Sequence, residues 1–558
     1  MITISERIAK DIPGHTSLFV EFQYNPKYVE IMKTCPVALF HRKEKIWEAP
    51  VSSLASLIDQ FSPYDDLEIN LLQDKKLEHK LFEIGPYKLK PFKHQEEAIQ
   101  YGLNHNKWLL LDLPGLGKTG VIIHIAEELK KREKIEHCLI VCGVNTLKYN
   151  WIAEIKKHSN ESARILGQRV KKNGKIRVGS MQDKLDDLKN GVDEFFIVTN
   201  IETLREKDII KELNKQHQKY PMIACDEAHV IKNPQSAQGS NFLKLNKAKY
   251  KIAATGTLLL NSPLDAYVAL KWIEVENCNF STFRNYYEQK QATQFGSVCV
   301  GYRNINVLKS VIESCSLRRT KDLLDLPEKT IINEITEMAP DQETFYNNIK
   351  SGIIDQVDKV ELDASNVLGM ITRLRQASVC PGILTSENIS SAKIERAKSL
   401  IYELTSNGEK VVVFSSFKEP LAQLYRSISD IKTVLCTGDC DDLTIERNKD
   451  EFQNSDDCMV LLGTIQKMGT GVTLTAATNM IFLDCSWTAG VNAQCEDRIH
   501  RIGSKKPVFI YYLWNKDTFD EVMHDIVQDK SIISDWIIDN KVDQTLVDRL
   551  RQILLDLK

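Results

Sequence analysis

The segment Asp112-Leu113-Pro114-Gly115-Leu116-Gly117-Lys118-Thr119 lies between an apolar run, residues 108–111, and a stretch that reads as helix from Thr119 onward. Strand, glycine loop and helix, in that order, is the setting a phosphate-binding loop requires. Gly115, Leu116 and Gly117 can turn their backbone N–H groups onto phosphate oxygens, and the helix N-terminus at Gly120 adds its positive dipole end. Lys118 would reach the β- and γ-phosphates and Thr119 would ligate Mg2+. Asp112 stands where the general G-x-x-x-x-G-K-T pattern has its first glycine.

A second cluster, Asp226-Glu227-Ala228-His229, follows the apolar run 222–225. Carboxylates at the C-terminal end of a parallel strand face the crevice where such loops bind ligands. Asp226 is assigned to the Mg2+ shell and Glu227 to orienting and deprotonating an attacking water.

These groups need a frame, and the sequence supplies two. Short apolar runs alternate with helical patterns in KWLLLD, HCLIVC, IRVGS near Val178, FFIVT, MIAC and KIAAT. That alternation predicts a doubly wound parallel sheet. After Glu409 a second set follows: KVVVFSS, KTVLCT, CMVLLGT, NMIFLD and VFIYYLW. The fold class is therefore α/β, with two doubly wound parallel-sheet lobes, helical insertions and a small N-terminal α+β accessory module. The expected divisions are 1–88 for that module, 89–272 for the first lobe, 273–392 for helical insertions bridging the lobes, and 393–558 for the second lobe with a C-terminal helix.

Lys+Arg 73 against Asp+Glu 76 gives a formal charge of -3, so a nucleic-acid surface must be a local groove and not the whole protein. The 13 cysteines include no C-x-x-C pair, which argues for packed free thiols over zinc or disulfides. MITISERIAKDIPGH has no signal-peptide core, and no stretch reaches the ~18 apolar residues of a membrane helix, so a soluble, intracellular protein with no membrane partner is expected.

The ordered series FKHQEEAI, DLPGLGKT, VNTLKYNW, VTNIETLR, DEAHVIKN and Ala254-Thr255-Gly256-Thr257 resembles the first lobe of the Swi/Snf-type superfamily 2 ATPases. Leu317-Arg318-Arg319-Thr320-Lys321 with LDLPEKT, then Leu374-Arg375-Gln376, VVVFSSF, LLGTIQKMGTGVTLTAATNMIFLD and the string 494–503 (QCEDRIHRIG) extend the resemblance to about Leu513. The resemblance implies two RecA-like lobes using ATP and Mg2+. It implies that Gln95 reads adenine and that His229, Thr255, Gly256, Thr257 and Gln494 couple hydrolysis to lobe movement. Arg498 and Arg501 become arginine fingers brought from one lobe to a nucleotide on the other. Leu258 replaces the proline usual after the Thr-Gly-Thr step, and Ser504 replaces a frequent glutamine.

DNA contacts implied by the resemblance are Asn145, Thr146 and Lys148 on the first lobe and Ser415, Thr464, Gln466 and Lys467 on the second. Contacts to phosphates would permit movement irrespective of base sequence. At the N-terminus, FQYNPKYVEIMKTCPVALFHRKEKIWEAPV is loosely similar to the recognition module of HepA-related annealing helicases, with Phe22, Tyr24, Trp47, Arg42, Lys43 and Lys45 as candidate DNA contacts or, equally, as a hairpin core. The implied activity is a DNA-dependent ATPase that translocates on double-stranded DNA and remodels or anneals branched DNA. A strand-separating helicase and an ATP-gated remodeller of a DNA-bound protein complex are the alternatives, with single-strand-binding or replication proteins as further candidate partners.

Overall fold

Runs of β-branched and aliphatic residues buried on both faces decide the architecture. A computed structural model of the chain describes residues 2–8, 16–35, 38–42, 44–50, 53–64, 67–70, 80–133, 135–143, 147–170, 176–256, 258–259, 262–293, 296–320, 323–324, 326–359, 364–468, 472–486 and 489–528. Residues of the expected C-terminal helix beyond 528 lie outside that description.

Five strands form the N-terminal sheet: β1 (Ile2–Ile8), β2 (Thr16–Phe22), β3 (Leu39–His41), β4 (Ile46–Pro50) and β5 (Leu67–Asn70), in the order β3-β4-β2-β1-β5. The β3–β4 hairpin turns at the charged segment read from sequence, with Leu39 opposite Glu48. The strand β1 lies in the segment that lacks a signal-peptide core. Alternation explains the strand: Ile2 and Ile4 are fully buried on one face of the sheet, among Leu18, Val20 and Met32.

The first large sheet contains β6 (Lys107–Leu110), β7 (Cys138–Cys142), β8 (Ala163–Ile165), β11 (Phe196–Asn200), β12 (Met222–Asp226), β13 (Tyr250–Ala254) and β16 (Ser316–Leu317). Its order is β16-β6-β13-β12-β7-β11-β8, and every pairing is parallel. The IRVGS run behaves differently from expectation. Its strand β10 (Ile176–Val178) pairs antiparallel with β9 (Gln168–Val170) in a separate two-stranded ribbon. The edge position goes to β8.

The stretch 273–392, read as helical insertions, holds the helices Phe280–Tyr287, Ile305–Ser314, Pro340–Lys359 and Ala364–Val379. It also holds an antiparallel ribbon of β14 (Glu288–Thr293) and β15 (Gly296–Tyr302), the strand β16, and β17 (Lys329–Thr336). The second large sheet takes β17 together with β18 (Val411–Ser415), β19 (Thr433–Cys436), β20 (Val460–Thr464), β21 (Asn479–Phe482) and β22 (Val508–Asn515). It runs β17-β22-β21-β18-β20-β19, again all parallel. Exposed and half-buried residues alternate along β17, the pattern of an edge strand.

The chain divides into two compact units: Met1–Leu113 with Gly117–Leu323, and Leu324–Lys558 with Pro114–Leu116. In each unit apolar cores cover both faces of the parallel sheet. All 13 cysteines are free and most are buried. Among the described residues no helix is long and apolar enough to cross a membrane.

One buried cation fixes the start of β13. Lys251 is fully buried, and its Nζ donates to the carbonyls of Asn246 (3.0 Å) and Trp272 (3.0 Å) and to Glu274 Oε1 (2.7 Å). Burial lowers the lysine's pKa, and the Glu274 carboxylate opposes that shift. Replacing Lys251 with Met leaves two carbonyls and a carboxylate short of a donor. The expected cost is about 2–3 kcal/mol, read as a lower urea midpoint of the first unit's unfolding transition.

Candidate active site

Two glycines set the shape of the phosphate loop. Gly115 and Gly117 take φ values of 91° and 81°, in the region that side chains avoid. At Gly117 space is as decisive as the angle, because a Cβ there would lie 2.2 Å from Gln95 Nε2. That glutamine is buried at the start of the helix Lys93–Asn104, where its Oε1 accepts from the Phe92 N–H (2.9 Å). Its Nε2 donates to the Gly117 carbonyl (3.3 Å). Lys118 and Thr119 open the helix Lys118–Glu133, whose last turn carries Lys130, Lys131 and Arg132 at its negative end. Gly120 is buried against the His158 ring, which a Cβ would approach to 2.9 Å. The Lys118 Nζ donates to the Asp112 carbonyl (2.8 Å).

Asp112 and Arg319 explain the missing first glycine. The Asp112 side chain is fully buried, and Arg319 grips it with Nε (2.9 Å to Oδ1) and with a second, very close contact to Oδ2. The sequence showed both residues, one as a departure from a pattern and one as a landmark, but nothing in it joined them across the fold.

Asp226 ends β12, every residue of which is buried. Its Oδ2 accepts from the Trp151 indole N–H (3.0 Å) and its Oδ1 from the Glu227 N–H (3.0 Å). Burial, and then the charge of Glu227, push the Asp226 carboxyl up to about 6, against the opposing pull of Lys118. Trp151, on the helix Leu147–His158, belongs to the VNTLKYNW string, yet its role as partner of the acid is visible only in the fold. Glu227 adopts a left-handed conformation (φ 54°, ψ 48°), a strained geometry that recurs at functional sites. It lies 3.3 Å from His229 Nδ1, and that same nitrogen lies 3.0 Å from the Thr255 hydroxyl at the end of β13. The structure thus assembles Gln95, Lys118, Asp226, Glu227, His229 and Thr255 in one unit, with Gly256 next in the chain. Thr257, Asn145 and Thr146 lie outside the described residues. Two adjacent carboxylates opposite a lysine and a glycine loop form a donor set suited to a polyphosphate carrying a hard divalent cation.

In the second unit Arg498 and Arg501 both point at one atom. Each donates from Nη1 to the Val472 carbonyl, at 3.3 Å and 3.4 Å. Gln494 is buried one turn earlier, and Glu496 accepts from Lys329 (2.7 Å) and the Tyr512 hydroxyl (2.7 Å). Ser504, at the departure from the family pattern, accepts from the Arg501 N–H (3.1 Å) and so closes the turn that presents that arginine.

The nucleic-acid candidates divide by burial. Gln466 is exposed, and Lys467 is half-buried beside Asp442 (3.5 Å). The side chains of Lys148, Ser415 and Thr464 are buried. Ser415 donates its hydroxyl to Asp484, which also accepts from the Ser416 N–H (2.9 Å) and from Arg375 (3.1 Å). Ser415 therefore shapes the turn after β18, and its hydroxyl is not presented to solvent. In the N-terminal sheet Tyr24 is 83% exposed, while Phe22 packs edge-on against Tyr28 and Trp47 packs against Phe40. Arg42 and Lys45 are exposed, and Lys43 lies outside the described residues.

The raised carboxyl of Asp226 has a consequence for stability. Because its folded pKa exceeds the ordinary carboxyl value, its contribution is fully present below the unfolded pKa and is lost as pH rises through about 6. Asp226→Asn should therefore raise the melting temperature of metal-free protein at pH 7.5. The gain should narrow at pH 5 and vanish below about pH 4, measured by differential scanning calorimetry.

The chain is similar to several known proteins. An "Uncharacterized ATP-dependent helicase" of Mycoplasma pneumoniae is 26% identical over 465 residues, covering 80% of this chain and 42% of that protein. A Drosophila melanogaster SWI/SNF-related matrix-associated actin-dependent regulator of chromatin subfamily A-like protein 1 is 24% identical over 537 residues, covering 91% of this chain and 65% of the relative. The human "DNA annealing helicase and endonuclease ZRANB3" is 25% identical over 472 residues, covering 80% and 40%. The chain thus spans about half the length of the curated relatives it matches. Among solved structures, the Sulfolobus solfataricus SWI2/SNF2 ATPase core in complex with dsDNA aligns with a TM-score of 0.38 at 23% identity, covering 84% of this chain and 99% of that one. The helicase conserved C-terminal domain matches residues 392–503. Because the SNF2-related domain matches residues 71–383, more than half of the sequence, the chain belongs to the SNF2-related family.

Proposed function

We propose that this chain is a DNA-dependent ATPase that translocates on double-stranded DNA and remodels or anneals branched DNA. The observation that carries the reading is the desolvated Asp226 beside Glu227, facing Lys118 from the end of a buried parallel strand. Relatives named as ATP-dependent helicase and DNA annealing helicase support the choice of ATP and DNA. Mg2+ would be held by Asp226 and Thr119, supplying charge neutralisation at the β- and γ-phosphates.

In this mechanism Gln95 holds the adenine, and the amides of Gly115, Leu116, Gly117 and Gly120 hold the phosphates. Lys118 leaves the Asp112 carbonyl to reach the γ-phosphate. Glu227 orients the water and takes its proton, and His229 links that carboxylate to Thr255, so that the state of the γ-phosphate is felt at the end of β13. Arg498 and Arg501 exchange the Val472 carbonyl for the γ-phosphoryl oxygens. Gln466 and Lys467 contact backbone phosphates, a sequence-independent grip that weakens as salt rises.

The test is the ATP hydrolysis rate with single-stranded, duplex and forked DNA at fixed salt. Duplex or forked DNA should raise kcat at least about tenfold, while Lys118→Ala and Glu227→Gln abolish turnover. Arg498→Ala and Arg501→Ala should each lower kcat by roughly 10³. With a forked duplex and its complementary strands as substrate, the product should be annealed DNA. Displaced single strands would show a strand-separating helicase, and stimulation by a protein partner but by no DNA would show a remodeller of protein complexes.

A further inference from the structure

Around the phosphate loop the hydrogen bonds close into a circuit, and one residue completes it. Gln95 joins Phe92 to Gly117. Lys118 joins the loop's end back to its start at the Asp112 carbonyl. Arg319 supplies the remaining link, because its Nε and Nη2 hold the Asp112 carboxylate while its Nη1 donates to the carbonyl of His94, the neighbour of Gln95. The backbone reinforces it. Strand β16 runs beside β6, and its ladder continues past the strand, with Leu109 N–H to Cys315 O (2.9 Å), Leu111 N–H to Leu317 O (2.8 Å) and Leu113 N–H to Arg319 O (3.1 Å). The guanidinium and the carboxylate are 8% and 0% exposed, so neither exchanges its partner for water at low cost.

We propose that Arg319 is the positioning residue of the phosphate loop, holding it open through Asp112 and fixing the backbone beside Gln95 through His94. The loop's grip on phosphate and the site's choice of base are then set by a single side chain. Only a planar fork can do this: a lysine at the same position offers one nitrogen and cannot span both carboxylate oxygens and a carbonyl. Arg319 touches no nucleotide in this scheme. When phosphate draws Lys118 away from the Asp112 carbonyl, the Arg319 contacts keep the loop from following it.

The inference rests on the nucleotide-binding reading, and the experiment separates the two. In wild-type protein without nucleotide, hydrogen–deuterium exchange should show the amides of 111, 113 and 121, which donate to the carbonyls of Leu317, Arg319 and Gly117, protected at least about tenfold over an open loop. Unprotected amides overturn the proposal whatever the enzyme does. For Arg319→Lys, the KM for ATP should rise about tenfold or more while kcat at saturating ATP stays within about threefold, and the preference for ATP over GTP should fall at least about fivefold. A folded Arg319→Lys protein with unchanged KM and unchanged ATP:GTP ratio contradicts the proposal. So does a variant that merely melts earlier without moving that ratio. If wild-type protein hydrolyses no nucleoside triphosphate with any DNA, the nucleotide reading fails, and the exchange arm still decides the loop's anchoring.

Discussion

A carboxylate taken out of water must be matched by positive charge or be protonated, and the site is organised around that constraint. Among the described residues, Asp112, Asp226 and Asp484 are acids buried at the carboxyl ends of parallel strands, and the protein treats them differently. Asp112, after β6, receives the fork of Arg319; Asp484, after β21, receives Arg375 and the Ser415 hydroxyl. Asp226, at the end of β12, receives an indole and a backbone N–H, and its carboxyl is raised by burial and by Glu227. The first two are structural joints, each closed by its own arginine. The third is held in place by neutral donors and is left short of charge, a state suited to the metal-ligand role proposed for it.

The rest of the first unit follows from presenting that acid. Parallel pairing of β12 between β7 and β13 carries Asp226 and Thr255 to the same edge of the sheet as the glycine loop after β6. His229 then sits between Glu227 and Thr255, within 3.3 Å of both side chains. The second unit also has a parallel sheet, and in it the guanidinium groups of Arg498 and Arg501 converge on the Val472 carbonyl.

Much of this was legible in the chain, because the signals are local. The glycine loop, the acidic tetrapeptide, the two series of buried strands and the β3–β4 hairpin all depend on residues adjacent in sequence. What stayed hidden depends on distant partners. Asp112 reads as a defect in a phosphate-loop pattern until Arg319 arrives beside it, 207 residues later in the chain. Trp151 reads as one aromatic in a motif until its N–H meets Asp226. Ser415, Thr464 and Lys148 read as polar loop residues fit for DNA, whereas their side chains are buried, because position in a motif does not reveal which way a side chain turns at the end of a strand. The run IRVGS is a strand as read, but its partner β9 lies in a separate ribbon, and a local pattern does not say which strand another will pair with.

The central claim, that the acid left short of charge is a metal ligand of a nucleotide site, has a direct measurement. Mn2+ is titrated into the protein with a non-hydrolysable ATP analogue, and free Mn2+ is followed by electron paramagnetic resonance. The account predicts one nucleotide-dependent Mn2+ per chain, lost in Asp226→Asn. Equal Mn2+ binding by that variant, or none by the wild type with nucleotide present, would contradict it.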